Sequence, residues 1–162
     1  MFRVAIVFLV LNFCNPVFSS PKDEIISRMK LTKTLSFNFI QSIEKRKENG
    51  SCVIKYPKKI FCKYTGTNKK IIVSNGRSLV IKSKSKKNYY IYRLNKTPLA
   101  LLLDKEYLIS KIKILEPRKI DDKFLAFKIS EQGNEINIFF DIKNFQLVGW
   151  QTEDIYQKLS IT

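Results

Sequence analysis

The sequence predicts a mainly β domain with short helices. One long antiparallel sheet of about eleven strands curls into a half-barrel, with a helical lid over a hydrophobic cavity. Three observations predict it. Between Ser51 and Tyr64, apolar residues alternate with lysines, so Cys52, Ile54 and Tyr56 share one strand face while Lys55 takes the other. Turn signals such as Tyr56-Pro57-Lys58-Lys59, Ser74-Asn75-Gly76 and Gln132-Gly133-Asn134 punctuate the chain at short intervals. Only three stretches break the period-two pattern, all short and rich in Ile or Leu.

At 162 residues, 44% of them hydrophobic and 12% aromatic, the chain holds enough apolar material for one packed domain and too much for disorder. The positive start Met1-Phe2-Arg3, the apolar run Val4 to Phe13 and the short residues at Val17 and Ser19 read as a signal peptide cleaved after Ser19 or Ser20. The run is short for a membrane-spanning helix. Residues 1–19 are thus expected to leave, and 20–162 to form an exported, periplasmic domain. Cys14 would go with the signal, leaving Cys52 and Cys62, five residues either side of Pro57. A hairpin turning there sets them face to face. In an oxidising compartment that predicts a cross-strand disulfide, the alternative being two small reduced hydrophobes.

In chain order, Ser20-Pro21-Lys22-Asp23 opens a helix: the serine caps, the proline suits the first turn and the acid meets the positive dipole end. That helix carries Ile25, Ile26 and Met29 on one side and runs to about Thr34. Leu35 to Gln41 alternates as a strand and enters a charged turn, Glu44 to Gly50. The two hairpins of Ser51 to Ile81 follow, then a strand at Asn88 to Leu94. Thr97-Pro98 starts a second helix containing Leu99, Leu101, Leu102 and Leu103, and a third spans Lys105 to Lys111. The remaining runs are read as strands: Ile112 to Leu115, Phe124 to Ser130, Glu135 to Asp141, Gln146 to Gln151 and Tyr156 to Ile161.

A sheet this long curls, and so few helical residues cover only its mouth. Two interiors satisfy that pattern: a partly empty apolar cavity fit for a ligand, or a small barrel filled by its own side chains. Strand parity names Phe37, Phe39, Ile54, Tyr56, Ile60, Leu79, Tyr90 and Tyr92 as cavity candidates. Ile25, Ile26, Met29, Leu99, Leu102 and Leu103 are the lid candidates.

Catalysis and metal binding find little support. The chain has no histidine, the commonest general base and metal ligand, and neither a Gly-x-Ser-x-Gly elbow nor a phosphate-cradling glycine loop. Asp121-Asp122 and Glu153-Asp154 are neighbours near turns and read as solvated acids. No enzyme, metal or cofactor is therefore predicted, an esterase being the rival within the catalytic class. The net charge of +16 rests on lysines spread at alternate strand positions, as on a solvated sheet face. Arginines and aromatics do not interleave as a nucleic-acid platform needs. A non-catalytic basic module docking on anionic membrane or polymer stays open.

The order of several stretches resembles the LolA family, periplasmic carriers of outer-membrane lipoproteins. They are Leu35 to Gln41, Ile54-Lys55-Tyr56-Pro57, Ile60 to Tyr64, Ile72 to Leu79, Thr97 to Leu102, and Phe140-Asp141 through Gln157. The resemblance implies an unclosed antiparallel barrel, a helical lid and a cavity for lipoprotein acyl chains. It further implies a monomer that takes cargo from an inner-membrane exporter and passes it to an outer-membrane receptor without hydrolysing anything. Two positions depart from the family pattern. The arginine before the hairpin proline is Tyr56 here, and an aromatic cavity position is Cys62, so another acylated lipid is an alternative cargo.

Overall fold

The structure, a computed structural model, describes residues 19–43, 46–66, 69–83, 89–131, 133–153 and 159–161. The expected signal peptide lies outside them apart from Ser19. Pro21–Leu31 forms α1. The Ser20 hydroxyl oxygen accepts from the Asp23 N–H at 3.2 Å, proline occupies the first turn, and Ile25 and Ile26 are the buried side. The helix stops at Leu31 because Thr32 turns extended, short of the expected end at Thr34.

Six strands then meander: β1 (Thr34–Ile43), β2 (Arg46–Lys55), β3 (Lys59–Tyr64), β4 (Ile71–Asn75), β5 (Ser78–Lys82) and β6 (Tyr89–Arg93). Of the charged turn expected from Glu44 to Gly50, residues 44 and 45 lie outside the described residues, and Arg46 to Gly50 is instead the start of β2, with Arg46 opposite Ile43 and Gly50 opposite Phe39. Cross-strand pairing with the long β1 overrides the low β propensity of those residues.

Beyond β6 come two helices, α2 (Leu99–Leu103) and α3 (Lys105–Ile114). Asp104 caps α3 through the Tyr107 N–H. Ile112 to Leu115, expected as a strand, continues α3 to Ile114. Leu108, Ile109 and Ile112 recur at helical spacing and are all buried. The edge strand β7 lies further on, at Arg118–Ile120, followed by β8 (Phe124–Glu131), β9 (Asn134–Asp141), β10 (Leu147–Glu153) and β11 (Leu159–Ile161).

The strands lie in the order β6-β5-β4-β3-β2-β1-β11-β10-β9-β8-β7, each antiparallel to its neighbours. The two edges, β6 and β7, do not pair, so the sheet is unclosed. The α2–α3 connection leaves one edge and arrives at the other, and must therefore cross the inner face. There Leu102, Leu103, Leu108 and Ile112 pack with Ile25 from α1 and with Ile54, Phe127, Ile129, Ile136 and Ile138 from the sheet. Each such side chain contributes about 1.5–3 kcal/mol by leaving water. Phe127 and Phe140 meet edge to face at 5.9 Å in the same core.

α1 and α3 lie antiparallel and are tied at both ends. Lys22 Nζ reaches the Leu115 carbonyl at 3.1 Å and Glu116 at 2.7 Å. Lys105 Nζ donates to the Lys30 and Thr32 carbonyls at 3.0 and 3.1 Å, satisfying acceptors that the end of α1 leaves open.

Candidate functional site

The sheet is divided along part of its length. β11 bridges β1 only at Ser42 and Ile43, and β10 only from Gln151 to Glu153. No described strand lies between Leu35–Ile40 of β1 and Leu147–Trp150 of β10. A cleft of about 300 Å³ occupies this slot, reached by Phe37 and Phe39 from the inner face and by Ile40 and Val148 from the outer. Phe37 and Trp150 span the gap edge to face at 5.7 Å.

Beside the slot, under α1 and α3, is a larger cavity of about 380 Å³ that shares Leu35 and Leu147 with it. Met29, Leu31, Leu108, Ile138, Phe140 and Phe145 make most of the remaining wall. This volume falls within the roughly 300–1,000 Å³ of small-molecule sites. Phe145 takes a left-handed conformation (φ 57°) just before β10, and its turn is fixed by Asp141. The Asp141 carboxylate accepts from the Lys143 and Asn144 N–H groups at 2.8 and 3.0 Å, which holds its pKa below the ordinary carboxylate range.

Polar residues also line the cavity: Arg28, Thr32, Thr34, Lys105 and Gln146. Tyr56 also lines it, from the β2–β3 turn. Burial pushes the Tyr56 phenol up to about 12, so it remains a neutral hydrogen-bonding group, and Lys105 Nζ stands 5.9 Å from its ring centre. The same turn holds the helices. The Lys58 N–H donates to the Leu103 carbonyl at 2.9 Å, and Lys58 Nζ pairs with Asp104 at 2.9 Å. A third cleft of about 230 Å³ lies outside this contact, between the 94–104 segment and Glu131.

The residues named from sequence divide into three groups. Tyr56 and Met29 line the main cavity, and Phe37 and Phe39 line the slot. Ile54, Ile60 and Leu79 face inward as parity required, yet they are buried in the packed core and line none of the three clefts. The same holds for Ile25, Ile26, Leu102 and Leu103, while Leu99 is half-buried against the core. Leu102 and Leu103 of α2 are buried in the same core as Ile54, Ile60 and Leu79. Tyr92 packs on the core opposite Leu79. Tyr90 has the same parity but is 50% exposed. Sequence reasoning missed Leu35, Phe140, Phe145 and Leu147. Leu35 shares its parity with Phe37 and could have been found; the others depend on the split beside β10.

Cys52 and Cys62 are directly opposite in the β2–β3 ladder and joined by a disulfide. Among the described residues, no group of three or more histidine, cysteine or acidic side chains is placed to hold a metal ion. No helix among them is long and apolar enough to cross a membrane.

No curated protein sequence matches the chain. Among solved structures it is similar to a LolA superfamily protein from Nitrosomonas europaea, at 9% identity and a TM-score of 0.43, over 88% of this chain and 76% of that one. The family model of the outer membrane lipoprotein carrier protein LolA matches residues 30–162, most of the length, and the chain belongs to that family.

Proposed function

We propose that the protein is a periplasmic carrier that shields acyl chains in the cavity between α1, α3, β9 and β10, with bound lipoprotein as its cargo. The observation that carries this reading is the wall itself: a largely apolar space of about 380 Å³ whose lining includes the cations Arg28 and Lys105. An acyl chain fills the apolar part, each methylene gaining about 0.8 kcal/mol on leaving water. A polar or anionic head group meets the two cations. The adjoining slot gives a longer chain somewhere to extend.

In this reading α1 is the lid; of the lid candidates Met29 faces the cavity, while Ile25, Ile26, Leu99, Leu102 and Leu103 hold the helices to the core beside it. A monomer would receive cargo from an inner-membrane exporter and surrender it to an outer-membrane receptor, with no bond made or broken. A second reading keeps the fold and changes the cargo to another acylated lipid. The modest cavity, and Tyr56 in place of the family arginine, favour that alternative.

The test is native mass spectrometry of protein purified from its own envelope, beside displacement of a fluorescent fatty acid. Wild-type protein is expected to retain acylated species and take up the probe. Leu147→Trp, which places an indole in the cavity, should weaken uptake at least tenfold while the fold survives. Undiminished uptake by that variant, or no uptake by wild type, overturns the proposal. The mass of the retained species decides between lipoprotein and a smaller lipid.

A further inference from the structure

The face of β1–β6 turned away from the helices has an organisation that shielding acyl chains does not use. The ladder aligns Val53, Phe61, Val73, Val80 and Ile91 in one row across five strands. At about 4.8 Å between strands, the row is about 19 Å long. Val53 is 42% exposed, Phe61 48%, Val73 37% and Ile91 61%. Val80 is half-buried; outward positions of a solvated sheet ordinarily carry polar side chains, so an apolar row exposed at four of its five positions calls for a partner.

The neighbouring rows are basic. Lys55, Lys59 and Arg93 flank the apolar row on one side, and Lys63 and Lys82 flank it on the other, where Tyr89 ends the row. None of these five cations forms an ion pair among the described residues. Nor does any outward position of β1–β6 hold an aspartate or glutamate; Glu48, the one acid in these strands, has the inward parity and pairs with Lys70.

We propose that this face docks the protein on an anionic phospholipid bilayer, with the Val53–Ile91 row entering the interface and the flanking cations reaching lipid phosphates. Long cationic side chains beside an apolar strip fit that boundary, where their stems stay in the apolar zone and their charged ends turn to the head groups. A peptide partner fits less well. The backbone groups of β2–β5 are already paired on both sides, so no strand can be added there, and none of the three clefts includes a residue of the row. What remains is a broad face suited to a broad surface.

The experiment is co-sedimentation of the full folded domain with vesicles of phosphatidylglycerol and phosphatidylethanolamine, against vesicles of phosphatidylcholine alone. Binding is expected to the anionic vesicles, at least tenfold stronger than to the neutral ones, and to fall steeply between 0.05 and 0.5 M salt. Phe61→Ser with Ile91→Ser should lower it at least tenfold, and Lys59→Gln with Lys63→Gln, two of the five flanking cations, should make its salt dependence shallower. All four sites are exposed, so melting temperature and fatty-acid uptake should stay at wild-type values. Leu147→Trp, which blocks the cavity, should dock normally, and this separates docking from acyl-chain capture. Equal binding to both vesicle types, undiminished binding by the serine pair, or loss of binding in Leu147→Trp overturns the proposal. So does a protein partner captured through this face by a chain that ignores vesicles.

Discussion

Reducing the Cys52–Cys62 bond should destabilise the domain by an amount set by the loop it closes. The two cysteines are ten residues apart in sequence and cross-link β2 to β3 below the turn that carries Tyr56 and Lys58. Freeing a loop of that size returns conformational entropy to the unfolded chain worth about 3 kcal/mol. For a domain of this size each kcal/mol shifts the melting temperature by roughly 2–4 °C, so reduction should lower it by about 6–12 °C. Cys52→Ala with Cys62→Ala should lower it somewhat more, because both cysteines are buried and alanine leaves part of their volume empty. Scanning calorimetry with and without a phosphine reductant measures the difference, with thiol titration to establish that both sulfurs are free. The ladder around the bond holds Gly50 to Lys55 against Lys59 to Tyr64 independently of it. Fatty-acid uptake well below the new transition should therefore change less than threefold. A melting temperature unmoved by complete reduction would refute the loop-entropy reasoning, and loss of uptake in still-folded reduced protein would refute the idea that the ladder alone positions Tyr56.

Gly50→Ala should cost about 1–3 kcal/mol by urea unfolding, since an added Cβ would stand 2.5 Å from the Phe39 ring and 2.6 Å from the Lys63 carbonyl oxygen. The ring can move and the backbone oxygen cannot, so Gly50→Ala with Phe39→Leu should recover only part of the loss. Acid should unfold the protein partly through Asp141 and Glu131, whose carboxyls are held below their usual range. Backbone N–H bonds from Asn144 and Lys143 do this for Asp141; the Tyr107 hydroxyl and Lys111 do it for Glu131. A depressed folded pKa means stability that is present above the unfolded value and lost as pH falls through the folded one. The acid limb below about pH 4 should therefore flatten in Asp141→Asn and Glu131→Gln. An unchanged limb in both variants would refute it. Hydrogen exchange should be faster in α1 than in α3, and Lys105→Met should widen the difference; equal protection of the two helices would count against it.

Much of the fold could be read because period-two patterns report directly which way a side chain faces. Ile54, Cys52, Ile60, Cys62 and Leu79 all turn inward as their alternation required, and the Cys52–Cys62 pairing followed from symmetry about Pro57. Short apolar runs carry less information. Ile112 to Leu115 reads equally well as strand or helix by composition, and the helix wins because Leu108, Ile109 and Ile112 complete a buried stripe begun after the Asp104 cap. Parity also says nothing about volume. It identified the inward residues without showing that Leu102 and Leu103 would fill the space above Ile54 and Ile60. The cavity wall at Phe140, Phe145 and Leu147 depends on how far β11 extends between β1 and β10, a tertiary property with no local signature.

The uneven filling of the interior explains why the cavity is where it is and which helix is best placed to uncover it. α2 and α3 contribute five buried side chains, Leu102, Leu103, Leu108, Ile109 and Ile112, whereas α1 contributes two, Ile25 and Ile26. At about 1.5–3 kcal/mol for each, the gross hold on α1 is less than half that on the other pair. Along the cavity α1 offers Arg28 and Leu31, both exposed, and the half-buried Met29. What fixes α1 in addition is polar: Lys22 at one end, and at the other Lys105, which is itself in the cavity wall. Under the proposed carrier function, a head group that drew the Lys105 ammonium away from the Lys30 and Thr32 carbonyls would remove a restraint on α1. In that reading occupancy of the cavity and the freedom of α1 would be coupled through one side chain, Lys105.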